Sequence, residues 1–327
     1  MSAQVLEKLK SLIDENRFQT LVNQKDLDVY SNELSEYLLP SYSDLRIELA
    51  KEFSNGKKWY GIHFPGAPVN LHRVFPPQEL LIEIKNYIIF FEDDLSSTSR
   101  EVLIHQPFMV ENSYDNSQIV RENIKRVFKQ IYSYDEELIT KCFDVFDGAN
   151  VNYTESINID RKRSFISFSC YEVNDYDLPF EVSRDLVRNK DVIQRLGEIY
   201  EINSKPLSNL ITKLEPIIKN KNIRLYYSLH QSESKNPGVF GITFTPHYST
   251  EDYLQTISDM CDNFRVMEML SPEEANDLKN WTNFEDRLVT GFSLEIQNNK
   301  KNIDLSFRAH YGFVPTIVEP EPTEFYN

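Results

Sequence analysis

The sequence lacks several features that mark whole classes of protein. It has only three cysteines, at positions 142, 170 and 261, which are far apart and have no metal-ligand spacing. They predict reduced, structural thiols in a cytoplasmic protein. No run approaches the roughly 18 uninterrupted apolar residues of a membrane span. The first residues form an amphipathic, partly acidic pattern, so we expect neither a secretory signal nor a membrane partner.

Basic residues are also scarce. Lysine and arginine total 35 against 51 acidic residues, which gives a formal net charge of −16. A nucleic-acid surface needs a basic patch, so nucleic acid is not an expected partner. On so acidic a chain, a place where arginines gather is informative, because the surface as a whole does not attract anions.

The composition is otherwise that of a globular protein, with 40% hydrophobic and 26% charged residues. Neither a flexible linker nor a change in composition interrupts the sequence. We therefore expect one domain over residues 1–314. The segment 315–327, which contains Glu-Pro-Glu-Pro, is predicted to be an extended or disordered acidic tail.

Five pairs of short segments have the pattern of β-hairpins, in which apolar strands are separated by turn-forming residues. The pairs are 45–50 with 59–64, 87–92 with 102–106, 151–159 with 164–170, 223–230 with 239–245, and 288–296 with 303–310. Helical periodicity is found over 3–20, 25–37, 77–86, 115–131, 135–146, 182–199 and 206–218, and after start signals at 250–252 and 271–274. This order predicts an α+β fold, an antiparallel sheet with helices on one side. The periodicity is compatible with an open sheet and with ten strands closed into a barrel.

One face of these strands is apolar, and the other carries arginines, histidines, hydroxyls and aromatic rings. The residues of this second face are Arg46, Glu48, Trp59, His63, Arg161, Arg163, Phe165, Ser167, Tyr171, Arg224, Tyr226, Ser228, His230, Asp304, Ser306, Arg308 and His310. On an open sheet they would form a solvated surface. In a closed barrel they would line a cavity, and arginines there would need an anionic ligand, for which phosphate oxygens are well suited.

Two segments resemble a known family. Residues 158–168, NIDRKRSFISF, and residues 288–296, LVTGFSLEI, together with the strand at 303–311, are similar to hairpins of the soluble aromatic prenyltransferases of the ABBA class. Members act on phenols, on indole alkaloids or on cyclic peptides. The resemblance spans residues 40–313. It implies a closed ten-stranded antiparallel β-barrel built from five αββα hairpin units, with a ring of outer helices and the active site in the lumen.

The resemblance also implies a reaction. A dimethylallyl or geranyl group would move from its allylic diphosphate to an electron-rich aromatic acceptor such as an indole alkaloid, by ionisation and electrophilic aromatic substitution in secondary metabolism. The expected partners are these two small molecules, and the expected state is a monomer or weak dimer. Two alternatives stay open: prenylation of a cyclic peptide, and a non-catalytic barrel that binds an apolar or phosphorylated small molecule.

The resemblance assigns roles residue by residue. Glu48 would be the catalytic proton acceptor. The diphosphate would be bound by Arg46, Arg161, Arg163, Arg224 and Arg308. The prenyl and acceptor pocket would contain Trp59, His63, Phe165, Ser167, Tyr171, Tyr226, Ser228 and His230. Simpler interpretations exist for these residues. Arg46 and Glu48 could be an ion pair on the surface, Arg161 and Arg163 could be ordinary charged residues of a turn, and Tyr226 could only fill space in the core.

The sequence departs from the family at two places. Glu101 stands where many members carry a basic residue, unless that residue has moved to Arg100, and the strand at 239–245 lacks the basic residue often found there. Missing positive charge makes a Mg²⁺ contribution a reasonable hypothesis, although no metal site is identified and no organic cofactor is expected. The acidic run Glu92, Asp93 and Asp94 lacks the spacing of the metal-binding motifs of helical terpene enzymes and is read as the approach to a turn.

Overall fold

The computed structural model describes residues 7, 10–11, 46–54, 56, 58–64, 87–93, 101–107, 136–148, 152–160, 165–171, 186–220, 222–232, 239–246, 252–282, 288–299 and 302–312. The strands are β1 Arg46–Glu52, β2 Lys58–Phe64, β3 Tyr87–Asp93, β4 Glu101–Pro107, β5 Asn152–Asp160, β6 Phe165–Tyr171, β7 Ile223–Ser232, β8 Val239–Pro246, β9 Leu288–Asn299 and β10 Asn302–Gly312. The helices are α1 Glu136–Gly148, α2 Leu186–Ile199, α3 Ser204–Ile218, α4 Tyr253–Val266 and α5 Pro272–Thr282. For β2 to β6 the structure describes the backbone and its pairing but not the side chains.

The strands form a single antiparallel ladder. Each strand pairs with the next in chain order, so the sheet is a continuous meander of hairpins. β10 also pairs with β1, where Ala50 lies opposite His310 and Glu52 opposite Arg308. The ladder therefore closes into a ten-stranded barrel without an exposed edge. An antiparallel sheet combined with helices is the α+β arrangement predicted from the sequence.

The apolar face of the barrel lies under the helices. In β7 the alternating residues Ile223, Leu225, Tyr227 and Leu229 are all at most 5% exposed. The Tyr227 hydroxyl donates a hydrogen bond of 3.0 Å to Oδ1 of buried Asn189 on α2. Since successive side chains of a strand alternate between its two faces, Ser228, which lies between Tyr227 and Leu229, is on the inner face. This confirms the outward orientation predicted for Ile223, Leu225, Tyr227 and Leu229.

A cluster of phenylalanines joins α4 to the last three strands. The fully buried ring of Phe264 lies 4.5 Å from Phe307, 5.1 Å from Phe292 and 5.8 Å from Phe244, measured between ring centroids. Those three residues come from β10, β9 and β8. The cluster fixes the outer face of these strands and thereby determines which of their residues line the lumen.

The two predicted helix starts behave differently. Before α5, the Ser271 hydroxyl accepts a hydrogen bond from the Glu274 amide, and a Glu274 carboxylate oxygen accepts one from the Ser271 amide. This reciprocal capping box satisfies two otherwise unpaired amides, as predicted. Before α4 the N-cap is Asp252, but its side chain makes no capping hydrogen bond. The helix start predicted at residues 250–252 is confirmed, since α4 begins directly after Asp252, while Thr250 and Glu251 lie outside the described residues.

Several predicted elements lie outside the described residues. These are the helices at 25–37, 77–86 and 115–131 and the tail at 315–327, while residues 7, 10 and 11 of the helix expected at 3–20 are helical. The full ring of five αββα units thus stays a prediction beyond the described helices. Within the part of the chain that is described, no helix combines the length and apolar character required to cross a membrane.

Glu215 links α2 to α3 and provides a pH-dependent contribution to stability. Its two carboxylate oxygens lie 2.7 Å from Nζ of Lys190 and 2.6 Å from Nζ of Lys219. The hydrogen bond from Lys190, followed by that from Lys219, lowers the pKa of Glu215 from 4.5 to about 2. A carboxyl whose pKa is lower in the folded state stabilises the fold above its unfolded pKa, and that contribution is lost as the pH falls from 4.5 towards about 2.

We expect Glu215→Gln to lower the melting temperature at neutral pH, and we expect the difference from wild type to shrink as the pH falls from 4.5 towards about 2. Thermal unfolding followed by circular dichroism from pH 7 down to pH 2 measures this difference. Glu137→Gln is a suitable control because Glu137 pairs with Lys141 on one exposed helix turn, with side chains 77% and 56% exposed. A difference between Glu215→Gln and wild type that stayed constant with pH would contradict the assignment.

Candidate functional site in the barrel lumen

The inner face of β1 and β7–β10 carries a continuous set of polar side chains, here called the lumenal patch. It consists of Glu52, Ser228, Ser293, Glu295, Ser306, Arg308 and His310. The neighbours of these residues along the strands, including Tyr227, Leu294 and Phe307, are buried on the outer face. Strand alternation therefore directs the patch into the lumen.

An ion-pair network lies at the centre of the lumenal patch. Nη1 and Nη2 of Arg308 contact the two carboxylate oxygens of Glu295 at 2.6 and 2.7 Å. Nε of Arg308 lies 3.7 Å from Oε2 of Glu52, whose Oε1 accepts a hydrogen bond of 2.6 Å from Ser54. The side chains of Arg308, Glu295 and Glu52 are 20%, 21% and 8% exposed. These contacts hold two carboxylates and one guanidinium together on the inner wall, and Glu295 and Arg308 also take part in further interactions.

A second polar contact lies one step along the same strands. Nε2 of His310 is 2.8 Å from Oγ of Ser293, and both side chains are partly buried. Oγ of Ser306, on the other side of Arg308, is buried and has no hydrogen-bond partner among the described residues. The patch thus offers a carboxylate, a guanidinium, an imidazole and hydroxyl groups within a few strand positions.

Glycine makes room in this wall. Gly241 of β8 lies opposite Ser228 on one side and Glu295 on the other. A Cβ atom at Gly241 would collide with Oγ of Ser228 and lie 3.7 Å from Cγ of Glu295. The absence of a side chain allows the polar groups of β7 and β9 to approach each other across β8.

The backbone register brings several predicted site residues side by side. Arg46 lies opposite His63, and Glu48 lies opposite Gly61. Across β6 and β7, Tyr171 is opposite Tyr226 and Ser167 is opposite His230. The further pairs are Trp59 with Ala50, Phe165 with Ser232, Ser228 with Ser169, and Arg224 with Thr245. Arg161 and Arg163 lie outside the described residues, so their predicted roles stay predictions.

Arg308 is the one predicted diphosphate ligand whose side-chain contacts the structure gives. They are made to Glu295 and Glu52, neither of which sequence reasoning selected. The sequence could have indicated Glu295, because it lies between the apolar residues Leu294 and Ile296 on a predicted strand and therefore belongs to the polar face of that strand. The signal for Glu52 was weaker, because the sequence predicts that the first strand ends at residue 50, whereas pairing with β10 extends β1 to Glu52.

Cys142 and Cys261, two of the three cysteines, do not contribute a nucleophile to this site. Cys142 and Cys261 are free and buried, and burial raises the pKa of each thiol to about 12. Both thiols are therefore protonated at neutral pH, as expected of structural cysteines.

No cluster of three or more histidine, cysteine, aspartate or glutamate side chains suited to a metal occurs among the described residues. The hypothesis of a Mg²⁺ contribution therefore has no ligand set in this part of the chain.

Comparison with known proteins shows which solved structures have a similar fold. No protein-family model and no curated protein sequence matches the chain. The solved structure of NotF in complex with brevianamide F and DMSPP matches with a TM-score of 0.54 and 9% sequence identity, over 94% of this chain and 92% of that one. A 5-dimethylallyltryptophan synthase from Streptomyces coelicolor matches with a TM-score of 0.45 and 10% identity, over 94% and 95% of the two chains. The chain shares its fold with NotF, in agreement with the resemblance read from the sequence.

Proposed function

We propose that this chain is an aromatic prenyltransferase of the ABBA class, which transfers a dimethylallyl or geranyl group from its diphosphate to an indole-type acceptor. The observation that supports this proposal most strongly is a closed barrel with an apolar outer face and an inner wall of charged and hydroxyl-bearing side chains. The same fold in NotF accommodates brevianamide F and DMSPP. Fold alone does not establish function, so the proposal rests on the combination of fold and lumenal chemistry.

In the proposed reaction the bond between the allylic carbon and the diphosphate oxygen breaks, and diphosphate leaves with the electron pair. Negative charge accumulates on the leaving group, so arginines that are already oriented stabilise the transition state more than the bound substrate. The proposed ligands of the diphosphate are Arg46, Arg161, Arg163, Arg224 and Arg308. If Mg²⁺ takes part, it supplies additional positive charge to the diphosphate.

The allylic cation then reacts with the aromatic ring of the acceptor. A new carbon–carbon bond forms from the ring electrons, and the ring regains aromaticity when it loses a proton, for which Glu48 is the proposed acceptor. Trp59, Phe165, Tyr171 and Tyr226 are proposed to surround the cation, because aromatic faces stabilise positive charge and exclude water. His63, Ser167, Ser228 and His230 are proposed to complete the pocket.

The proposal is tested by turnover. The protein is incubated with dimethylallyl or geranyl diphosphate and with tryptophan, tryptamine, brevianamide F or a cyclic peptide, and prenylated product is measured by mass spectrometry. We expect product with an indole acceptor, and a fall in kcat of about 10²–10⁴-fold in Glu48→Gln. Glu137→Gln, an exposed glutamate on α1, should retain wild-type turnover.

Three outcomes would change the proposal. Product only from the cyclic peptide would favour peptide prenylation. Binding of a diphosphate analogue without turnover of any acceptor would favour a non-catalytic carrier. Wild-type turnover in Glu48→Gln would remove Glu48 from the mechanism.

A further inference from the structure

The barrel closes where its first and last strands pair, a contact here called the seam. Residues 49–52 of β1 lie opposite residues 308–311 of β10. Within a hairpin the connecting turn helps to fix the register of two strands, but β1 and β10 come from opposite ends of the chain. Contacts across the seam must therefore determine which of its residues lie opposite each other.

The alternation of apolar and polar residues fixes only part of this register. Leu49 and Tyr311 lie opposite each other and are 1% and 5% exposed, and the ring of Tyr311 packs against Trp281 of α5 at 5.5 Å. A shift by one residue would turn the apolar residues of β1 away from this buried face, so burial excludes it. A shift by two residues in either direction preserves the alternation, and burial does not exclude it.

Glu52 distinguishes between these registers. It lies opposite Arg308, with Oε2 in an ion-pair contact 3.7 Å from Nε, and its Oε1 accepts a hydrogen bond of 2.6 Å from Ser54. A shift by two residues would place Ala50 or Ser54 opposite Arg308, and neither carries a charge. The side chain of Glu52 is 8% exposed, so a shifted register would separate a buried carboxylate from this cation.

A second contact supports the same register without charge. The Phe53 amide donates a hydrogen bond of 3.0 Å to the Phe307 carbonyl oxygen, and the two rings lie 5.8 Å apart. The backbone bond can form again in a shifted register, whereas this ring contact cannot. Loss of the Glu52 charge is therefore expected to shift part of the molecules and not all of them.

We propose that Glu52 is a positioning residue, whose contact with Arg308 selects the register of β1 against β10. Specifying a register is the best-attested use of buried polar and ionic groups. Residues of a strand rise about 3.4 Å each, so a shift by two would move β1 about 7 Å along β10. The proposed roles of Arg46 and Glu48 on β1 and of Arg308 on β10 need one fixed register. This consequence rests on the proposed function, whereas the register assignment does not.

Disulfide cross-linking of the full chain measures the register. Three variants share Ala309→Cys and add Lys51→Cys, Leu49→Cys or Phe53→Cys, and mass spectrometry of linked peptides after mild oxidation gives each yield. Lys51 lies opposite Ala309, and residues directly opposite are within the reach of a disulfide. The Lys51 pair therefore reports the observed register, and the other two pairs report shifts by two residues. With Glu52 present, each shifted pair should give at most about one tenth of the yield of the Lys51 pair.

Adding Glu52→Gln should raise the yield of at least one shifted pair, relative to the Lys51 pair, by about tenfold. Glu295→Gln is the matched control, because it also removes a carboxylate contact of Arg308 but lies on β9, whose pairing with β10 continues from Asn302 to Gly312. It should leave the relative yields within about twofold. Glu52→Asp keeps a carboxylate at this position and should give a smaller shift than Glu52→Gln.

Unchanged relative yields in a folded Glu52→Gln variant would overturn the inference, and so would an equal change in Glu295→Gln. If Glu52→Gln does not fold, as judged by circular dichroism, Glu52→Asp takes its place in the same comparison. Turnover with an indole acceptor tests the consequence for catalysis, and it should fall in proportion to the fraction of molecules in the observed register. A wild type that gives the predicted cross-links but no prenylated product would contradict the proposed function and not the role of Glu52.

Discussion

Replacing Phe264 with alanine is expected to lower the free energy of unfolding by about 3–5 kcal/mol. The ring is fully buried and contacts the rings of Phe244, Phe292 and Phe307. Its removal leaves a cavity between α4 and three strands, which closed barrel geometry prevents from collapsing fully. Urea unfolding followed by circular dichroism gives the change.

Leu254→Ala on the same helix is the control. Leu254 is 48% exposed, so its truncation removes little buried surface and should cost less than about 1 kcal/mol. If Phe264→Ala cost no more than Leu254→Ala, the phenylalanine cluster would not be what holds α4 against the barrel. The orientation of β8, β9 and β10 would then need another explanation.

Gly291→Ala is expected to destabilise the protein by about 1–3 kcal/mol, through overpacking. An added Cβ would lie 2.7 Å from the carbonyl oxygen of Phe244 and 3.1 Å from Oγ1 of Thr245. The first of these atoms belongs to the backbone of β8, so the strands themselves must separate. Gly291 lies opposite His310, and we also expect the shift to disturb the contact between His310 and Ser293.

Gly241→Ala is the informative comparison. Its closest obstacle is the hydroxyl of Ser228, the end of a side chain that rotates, and not a backbone atom. Chemical unfolding should therefore show a smaller loss for Gly241→Ala than for Gly291→Ala. The reverse order would mean that contact with the backbone of β8 does not determine the cost at Gly291.

The alternation of β7 and β10 was sufficient to predict which residues face outward. Leu225 and Tyr227 recur every second position, and burying that face against helices leaves Arg224, Tyr226 and Ser228 on the other side. The capping box at Ser271 was predictable for a similar reason, because all of its atoms lie within four residues. Local patterns of this kind do not depend on distant pairing.

The partners of Arg308 could not be predicted in the same way. They depend on the register of β10 with β9 and with β1, and the second of these pairings joins Glu52 to Arg308 across most of the chain. Neither register can be deduced from the alternation of apolar and polar residues within one strand. The sequence therefore showed that an arginine lies on the inner face, but not that two glutamates lie beside it.

Calorimetric titration with dimethylallyl and geranyl thiolodiphosphates, with and without Mg²⁺, tests the central claim most directly. The protein should bind at least one of them with micromolar affinity, and Arg161→Ala should weaken that binding by about tenfold or more, as expected of a charged hydrogen-bonding partner. A dependence on Mg²⁺ would show how the positive charge missing at Glu101 is replaced. If wild type binds neither analogue under either condition, the prenyltransferase proposal is contradicted, and the barrel fold alone stands.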